Sequence, residues 1–416
     1  MTSGPVLRSQ QTTDPVRPPS PEAKRARLAV LGVFWLCGVA RSLWSASLPS
    51  VSARLQLSAD QLGLALLLVG IGSIAAMPVA GRLSDRWGSR VLLRVSGPLA
   101  ALTVLGPALA PGYPALLGAA ALLGIGLGTL DVAMNAHAIE VEERYERPIL
   151  SSFHGLWSLG GVAGSAVIAF GLHLRVDVRL LTAVSALAVA ALSLLPGSRL
   201  LTRVPEPPAK AEEPAAEVRP LGNTVIVLLG LAAMAAFLSE GAGYDWAALH
   251  AGRELGAGPA TAPLAYTVFA AALTLTRLTS DGLRRRLGPV RAIGWAGATA
   301  VLGYALVLAA PALPGGRLAC AFTGWAVAGV GLATVVPGIF SSLAGNKGSV
   351  GRGLAWVSTF AYGGNLAGPA VIGFIAGAAS LNTALLLPAA MAVAVALFGP
   401  IAIRATRAPA RRPSTS

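Results

Sequence analysis

Apolar residues run through this chain in blocks of about 20, separated by short stretches of glycine, proline and charge, a length that fits a membrane-crossing helix. Read in order, the blocks predict twelve spans, near residues 28–50, 60–80, 91–110, 114–139, 149–171, 178–196, 222–247, 260–280, 290–310, 316–341, 353–377 and 381–403. Two of the intervening turns spell nearly the same thing, GRLSDRWGSR at 81–90 and TRLTSDGLRRRLGPVR at 276–291. The repetition goes further. GIGLGTLDVA from Gly124 lies on GVGLATVVPG from Gly329 at an offset of 205, and GGVAGSAVI from Gly160 lies on GGNLAGPAVI from Gly363 with one inserted residue. Three matches in the same order predict a duplicated six-helix unit, an arrangement found in secondary transporters.

Composition agrees: 54% of the 416 residues are hydrophobic and only 12% charged, roughly half the charged share of a soluble protein. The predicted fold class is an all-α membrane protein with twelve transmembrane helices in two pseudo-symmetric six-helix bundles. Residues 25–196 and 222–404 form the bundles. The segment 197–221, rich in proline, alanine and mixed charge, reads as a cytoplasmic linker, and 1–24 and 405–416 as disordered tails. Residues 1–27 are polar and basic, and the apolar run behind them is long enough to span, so no cleaved signal peptide is expected.

A net charge of +14 invites a nucleic-acid reading until the charges are placed. Of 32 Lys and Arg, 26 fall on the tails, the linker and the loops of one side. Arg54, Arg175, Arg179, Arg253 and Arg317 fall on the other, and Arg41 lies inside a span. That bias puts both termini in the cytoplasm of a cell with an inner (plasma) membrane, and assigns the basic residues to orientation and lipid contact, with no nucleic acid as a partner. Cys37 and Cys320 both fall within spans, where a structural disulfide is not expected. There is no phosphate loop of the form G-x-x-x-x-G-K-[ST] and no H-E-x-x-H. No enzyme activity, no cofactor and no metal are therefore expected.

The first of the duplicated turns resembles the signature loop of the major facilitator superfamily, written G-x-L-a-D-r-x-G-r-k. Gly81, Leu83, Asp85, Arg86, Gly88 and Arg90 stand in its places, and Ser89 departs from it. The second copy keeps Arg277, Asp281 and Gly288 but carries extra residues between aspartate and glycine. DVAMNAHA after Leu130, SSFHGLWSLGG from Ser151 and EGAGYDW from Glu240 are similar to phrases of the fucose-permease-like branch of bacterial carriers. The resemblance implies that these loop residues gate the cytoplasmic side, with Asp85 and Arg86 locking one conformation and Asp281 acting correspondingly. The bland reading is that the loop only sets topology and turn geometry.

The same resemblance implies that the first, fourth, seventh and tenth helices line a central cavity. On them lie ionisable residues at membrane depth, where a charge is costly and normally faces a cavity or a partner. They are Arg41 on the first, Asp131 on the fourth, and Glu240 and Asp245 on the seventh. Asn135 is one turn beyond Asp131 on the same face. Arg41 and Asp131 are the natural buried pair, either as a structural tie or as a proton-exchanging site. Glu240 has no basic residue within a turn of its own helix and is expected to be the coupling carboxylate, while Asp245 is expected to be wetted by the external vestibule. Trp44, one turn from Arg41, and Asn365 in the eleventh helix are further candidates for the solute and proton pathway. Trp157, Trp246, Tyr266 and Tyr362 are read as packing or interface aromatics, and His137 and His154 as loop clamps or proton sites.

These readings describe a permease-like secondary active transporter that moves a small polar solute by alternating access with protons as the coupling partner in symport. A sugar is one candidate solute. Proton-driven export of drugs or metabolites is the alternative, and a non-transporting membrane sensor a more distant one. The expected working unit is a monomer in the lipid bilayer.

Overall fold

The computed structural model describes residues 20–145, 149–201, 222–344 and 350–406; within these, the side chains of 151, 198, 280–285 and 344–355 lie outside the description. Among the described residues twelve long helices follow one another. In the first half they are α1 (Pro21–Arg54), α2 (Ala59–Trp87), α3 (Ser89–Thr103, continued by Leu105–Leu109), α4 (Tyr113–Tyr145), α5 (Leu150–His173) and α6 (Val178–Leu192). In the second they are α7 (Asn223–Arg253), α8 (Pro263–Leu287), α9 (Pro289–Ala309), α10 (Arg317–Leu332, continued by Val335–Ala344), α11 (Val350–Ala378) and α12 (Leu386–Ala405). Ten are long and apolar enough to cross a membrane by themselves, and α8 and α11 complete the twelve.

Local chemistry sets where the helices begin and turn. The Ser20 hydroxyl accepts from the Ala23 N–H and Pro21 takes the first helical position, so α1 starts inside the expected tail of residues 1–24. At the start of α2 the Ser58 N–H donates to the Gln61 side chain at 3.1 Å, half of a capping box. Between α2 and α3 the chain turns at Gly88 with φ +86°, and between α8 and α9 at Gly288 with φ +73°. A side chain would strain either position. Both were candidates for gating, and both sit here as the residue that lets one helix end and the next begin.

The duplication is visible in how backbones touch. A Cβ on Gly124 of α4 would strike the Val69 carbonyl of α2, and one on Gly329 of α10 would strike the Phe269 carbonyl of α8. Likewise Gly160 of α5 meets the Trp35 carbonyl of α1, and Gly364 of α11 meets the Met234 carbonyl of α7. The matched words in the sequence are therefore matched close approaches of small residues between helices. They make the two bundles copies of one scaffold.

The expected linker differs at its start. Leu195–Ser198 is a short 3-10 turn, and Leu200 and Leu201 are buried against the first bundle. The Leu201 N–H donates to Nε2 of the buried His137 at 3.1 Å, while His137 Nδ1 contacts the Ser89 hydroxyl at 2.7 Å. His137 thus clamps the chain leaving α6 to the start of α3. Residues 202–221 of the linker, with tail residues 1–19 and 407–416, lie outside the described residues.

The halves meet at the end of the molecule remote from the two termini. There Arg253, at the end of α7, donates from Nη2 to the Ser52 hydroxyl of α1 and, at 2.7 Å, to the Leu57 carbonyl of the α1–α2 loop. Gly63 of α2 lies against Gly373 of α11, and Ser165 of α5 and Thr267 of α8 share a hydrogen bond of 2.9 Å. The far end is closed by these contacts.

Candidate functional site

Below the closed end, between the bundles, lies a cavity of about 270 Å³ walled by α1, α2, α4, α5, α7 and α11. Arg41, Trp44, Asp131, Glu240, Asp245 and Asn365 all line it. Asn135 lies one turn beyond Asp131 toward the terminal end. Its Nδ2 donates to the Asp131 carbonyl at 2.9 Å and to Asp131 Oδ1 at 3.2 Å, so it orients that carboxylate from behind.

The pairing of the charges differs from expectation in three places. Arg41 does not pair with Asp131. Its Nη2 lies 3.5 Å from Asp245 Oδ1, joining α1 to α7 across the two halves. Axial rise explains why either partner is within reach: at ~1.5 Å per residue, Asp245 lies roughly 12 Å, Arg41 roughly 20 Å and Asp131 roughly 27 Å from the far ends of their helices. Arg41 stands midway between the two carboxylates. Asp245, expected to be wet, is in turn buried, with its side chain 5% exposed.

Glu240 is the second correction. Nη2 of Arg277 donates to both of its carboxylate oxygens, at 2.8 and 2.9 Å, with side-chain exposures of 13% for Glu240 and 22% for Arg277. No basic residue stands near Glu240 on α7, but one reaches it from α8. The third correction is Arg277 itself, which was placed with the gating loop. It lies 11 residues before Gly288, roughly 16 Å up α8. Its place is held from two sides. Pro337 has no N–H to give to the carbonyl four residues back, and the Ala333 carbonyl so released from the α10 ladder accepts from Arg277 Nε at 3.2 Å. The proline-broken helix thus supplies the anchor that aims this guanidinium at Glu240. The sequence carried that signal in the VVPG of α10.

The remaining gating candidates stay at the terminal end. Asp85 and Arg86 are exposed at the end of α2, Gly81 has open space beside it, and Arg90 donates to the Gly197 carbonyl at 3.4 Å. The side chain of Asp281 lies outside the described residues.

Aromatic side chains form another part of the wall. Tyr244 on α7 meets Trp157 edge-on at 6.2 Å and Phe269 at 5.3 Å, and also touches Tyr266 at 5.7 Å. Sequence reasoning passed over Tyr244, although it stands in the quoted EGAGYDW beside Asp245. Trp157 and Tyr362, read as packing aromatics, both face the cavity, whereas Trp246 is fully buried in the second half. Cys37 also lines it. His154 is exposed and packs against Phe34.

Chemically, the wall presents Arg41 and three carboxylates, Asp131, Glu240 and Asp245, among apolar, aromatic and a few uncharged polar side chains, with Arg277 held to Glu240 from α8. Such a wall can hold a small polar molecule and exchange a proton.

Comparison with known proteins agrees with this architecture. The chain matches the model of the Major Facilitator Superfamily over residues 30–346. It is 33% identical over 371 residues to the uncharacterized transporter y4wD of Sinorhizobium fredii, covering 88% of this chain and 96% of that one. It is 34% identical over 357 residues to an uncharacterized MFS-type transporter of Yersinia pestis, covering 84% and 89%. Among solved structures, a mutant of the nucleoside transporter NupG aligns with a TM-score of 0.72 at 15% identity, covering 91% of this chain and 99% of that one. A D-xylose-proton symporter aligns with a TM-score of 0.68 at 19% identity, covering 90% and 96%. The transporter FucP in its outward conformation aligns with a TM-score of 0.57 at 20% identity, covering 90% and 98%. With a family model spanning most of its length, and relatives at this identity over nearly their whole length, the chain is a multi-pass membrane transporter belonging to the Major Facilitator Superfamily.

Proposed function

We propose that this carrier moves a small polar solute together with a proton across the inner membrane, with both termini in the cytoplasm and with the cavity alternating between the two sides. The observation that carries the reading is that the three carboxylates of the cavity wall have two guanidinium partners between them. Glu240 is held by Arg277 and Asp245 by Arg41, while Asp131 accepts only from the neutral amide of Asn135 among the hydrogen bonds at its side chain. A half-buried carboxylate at membrane depth with no cation beside it is costly as an anion, and a proton removes the cost. Asp131 is therefore the proton site, in place of Glu240.

Coupling follows from the height of Arg41. With Asp131 protonated, Arg41 stays up at Asp245. With Asp131 ionised, the guanidinium is drawn down toward it, and the arrangement at Asp245 is undone. One proton then accompanies one uncharged solute.

The basic residues on the terminal side, 25 with Arg277 counted at the cavity level, orient the chain. The closed far end is then external, and the cavity belongs to the inward-facing half of the cycle. The two bundles and the segment between them act as rocking bodies and linker. The similarity to a protein named as a D-xylose-proton symporter supports a sugar among the candidate solutes.

The test is transport in proteoliposomes. An imposed pH gradient, acidic outside, should drive accumulation of a carried solute in the wild type. In Asp131→Asn, solute exchange should persist while gradient-driven accumulation is lost. Accumulation driven in the opposite sense, outward against inward proton flow, would instead identify an exporter.

A further inference from the structure

Three polar groups of the cavity wall at its closed end have no hydrogen-bond partner among the described residues: Trp44 Nε1, the Tyr244 hydroxyl and Asp245 Oδ1. They come from α1 and α7, which face each other across the two halves, and Asp245 Oδ1 is itself the atom that Arg41 approaches. That pair is loose. At 3.5 Å it is an ion pair beyond ordinary charge-assisted hydrogen-bond length, and Arg41 keeps 30% of its side chain exposed to the cavity. Buried polar groups without partners in a native wall call for a ligand or solvent to satisfy them.

From these observations the geometry points to a solute subsite at the closed end of the cavity, formed by Arg41, Trp44, Tyr244 and Asp245, that takes an uncharged polyhydroxylated ring. It rests on the carrier reading and names the solute class. The donor and acceptor pattern selects hydroxyls. Asp245 can only accept, Arg41 and the Trp44 indole can only donate, and the Tyr244 hydroxyl does either. A hydroxyl both donates and accepts, so two neighbouring hydroxyls can complete Asp245 and Arg41 together, where a purely accepting or purely donating group satisfies one and opposes the other. The edge-on Trp157 and Tyr244 rings leave apolar surface for the C–H face of a sugar or cyclitol.

Charge selects against ionised relatives of the same ring. With a proton on Asp131, the guanidinium groups of Arg41 and Arg277 balance the ionised Asp245 and Glu240, and the site is neutral. A carboxylate or ammonium on the solute would then be buried without a counter-charge. Glu240 and Arg277 do not offer one, because each occupies the other.

The test uses the purified full-length protein, with thermal shift and quenching of tryptophan fluorescence as readouts. The probes are neutral monosaccharides and cyclitols, the uronic acids of the same rings, and the corresponding amino sugars. At least one neutral ring should bind, with its acidic and basic counterparts about tenfold weaker or worse. Tyr244→Phe, which removes only a hydroxyl, should weaken that binding about fivefold without changing the melting of the ligand-free protein. Asp245→Asn should weaken it about tenfold or more, and its ligand-free melting separates lost folding from lost binding. The proposal is overturned if no neutral ring binds, if a charged counterpart binds as well as its parent, or if Tyr244→Phe binds like the wild type. Flux in proteoliposomes keeps the two readings apart. Transport of a uronic acid would leave the carrier standing and remove the solute class, and a neutral ring that binds but is never carried would do the reverse.

Discussion

Glu240 and Asp131 are predicted to respond in opposite ways to the same chemical change, carboxylate to amide. In Glu240→Gln the guanidinium of Arg277 loses both of its carboxylate contacts, 2.8 and 2.9 Å, and keeps the Ala333 carbonyl, which offsets only part of a positive charge. Breaking one side of a buried pair costs about 3–5 kcal/mol; with exposures of 13% and 22% the lower end applies, about 3 kcal/mol. Asp131→Asn strands no cation that is now paired to it. The new amide oxygen can still accept from Asn135, so the expected loss of stability is within about 1 kcal/mol. Thermal unfolding of the purified variants, read by retention of the monodisperse species after heating, should separate the two. Glu240→Gln should melt well below the wild type and Asp131→Asn close to it. The double variant Glu240→Gln with Arg277→Gln should recover most of the lost stability, because no uncompensated charge remains. Transport should divide them the other way: Asp131→Asn loses accumulation driven by a pH gradient, while whatever Glu240→Gln protein survives retains it. A Glu240→Gln variant that melts like the wild type, or an Asp131→Asn variant that still accumulates solute under the gradient, would refute the assignment.

Other perturbations follow from the same contacts. Arg253→Ala removes two hydrogen bonds that hold the far end shut, and labelling of a cysteine placed at the buried Leu249 by an impermeant maleimide should rise about tenfold; unchanged labelling would show that the latch is idle. Gly124→Ala should lower the melting temperature, at a cost of about 1–3 kcal/mol, because its methyl meets the Val69 carbonyl, whereas Gly118→Ala, with open space beside it, should not destabilise; equal effects would remove the close-packing argument. With Cys37 and Cys320 replaced by alanine, a single cysteine in the 202–221 segment should react with an impermeant reagent only after the cell is opened, and labelling of intact cells would invert the orientation.

The fold was legible in the sequence because its two determinants are local. Apolar blocks long enough to cross a bilayer, and small residues where helices must touch, are both written along the chain. The offset of 205 between Gly124 and Gly329 became a shared contact in space. What periodicity could not give was the start of α1 at Pro21, which depends on the Ser20 cap, or the docking of residues 195–201 by His137, which depends on a partner far along the chain.

The charges of the site were legible as positions, not as pairs, and the duplication explains why. The glycine contacts of α5 on α1 and of α11 on α7 align Trp35 with Met234 and Val39 with Leu238, which places Arg41 of the first half opposite Glu240 of the second. The turn glycines Gly88 and Gly288 align Met77 with Arg277, so Arg277 belongs to the cavity level and has no counterpart in the signature loop of the first half. Asp131 aligns with Val336 at the offset of the Gly124 match. Equivalent places on one scaffold therefore carry unlike groups: cation against anion, thioether against guanidinium, carboxylate against valine. The repeat could not predict the pairs, because each pair joins positions that the repeat does not relate: α1 with the far third of α7, and α7 with α8. A symmetric wall would present the same charges from both sides and repel itself. The asymmetric one ties the second half internally through Glu240 and Arg277, and leaves Arg41, on the cavity lining, as the cation that the proposed coupling moves between Asp245 in one half and Asp131 in the other.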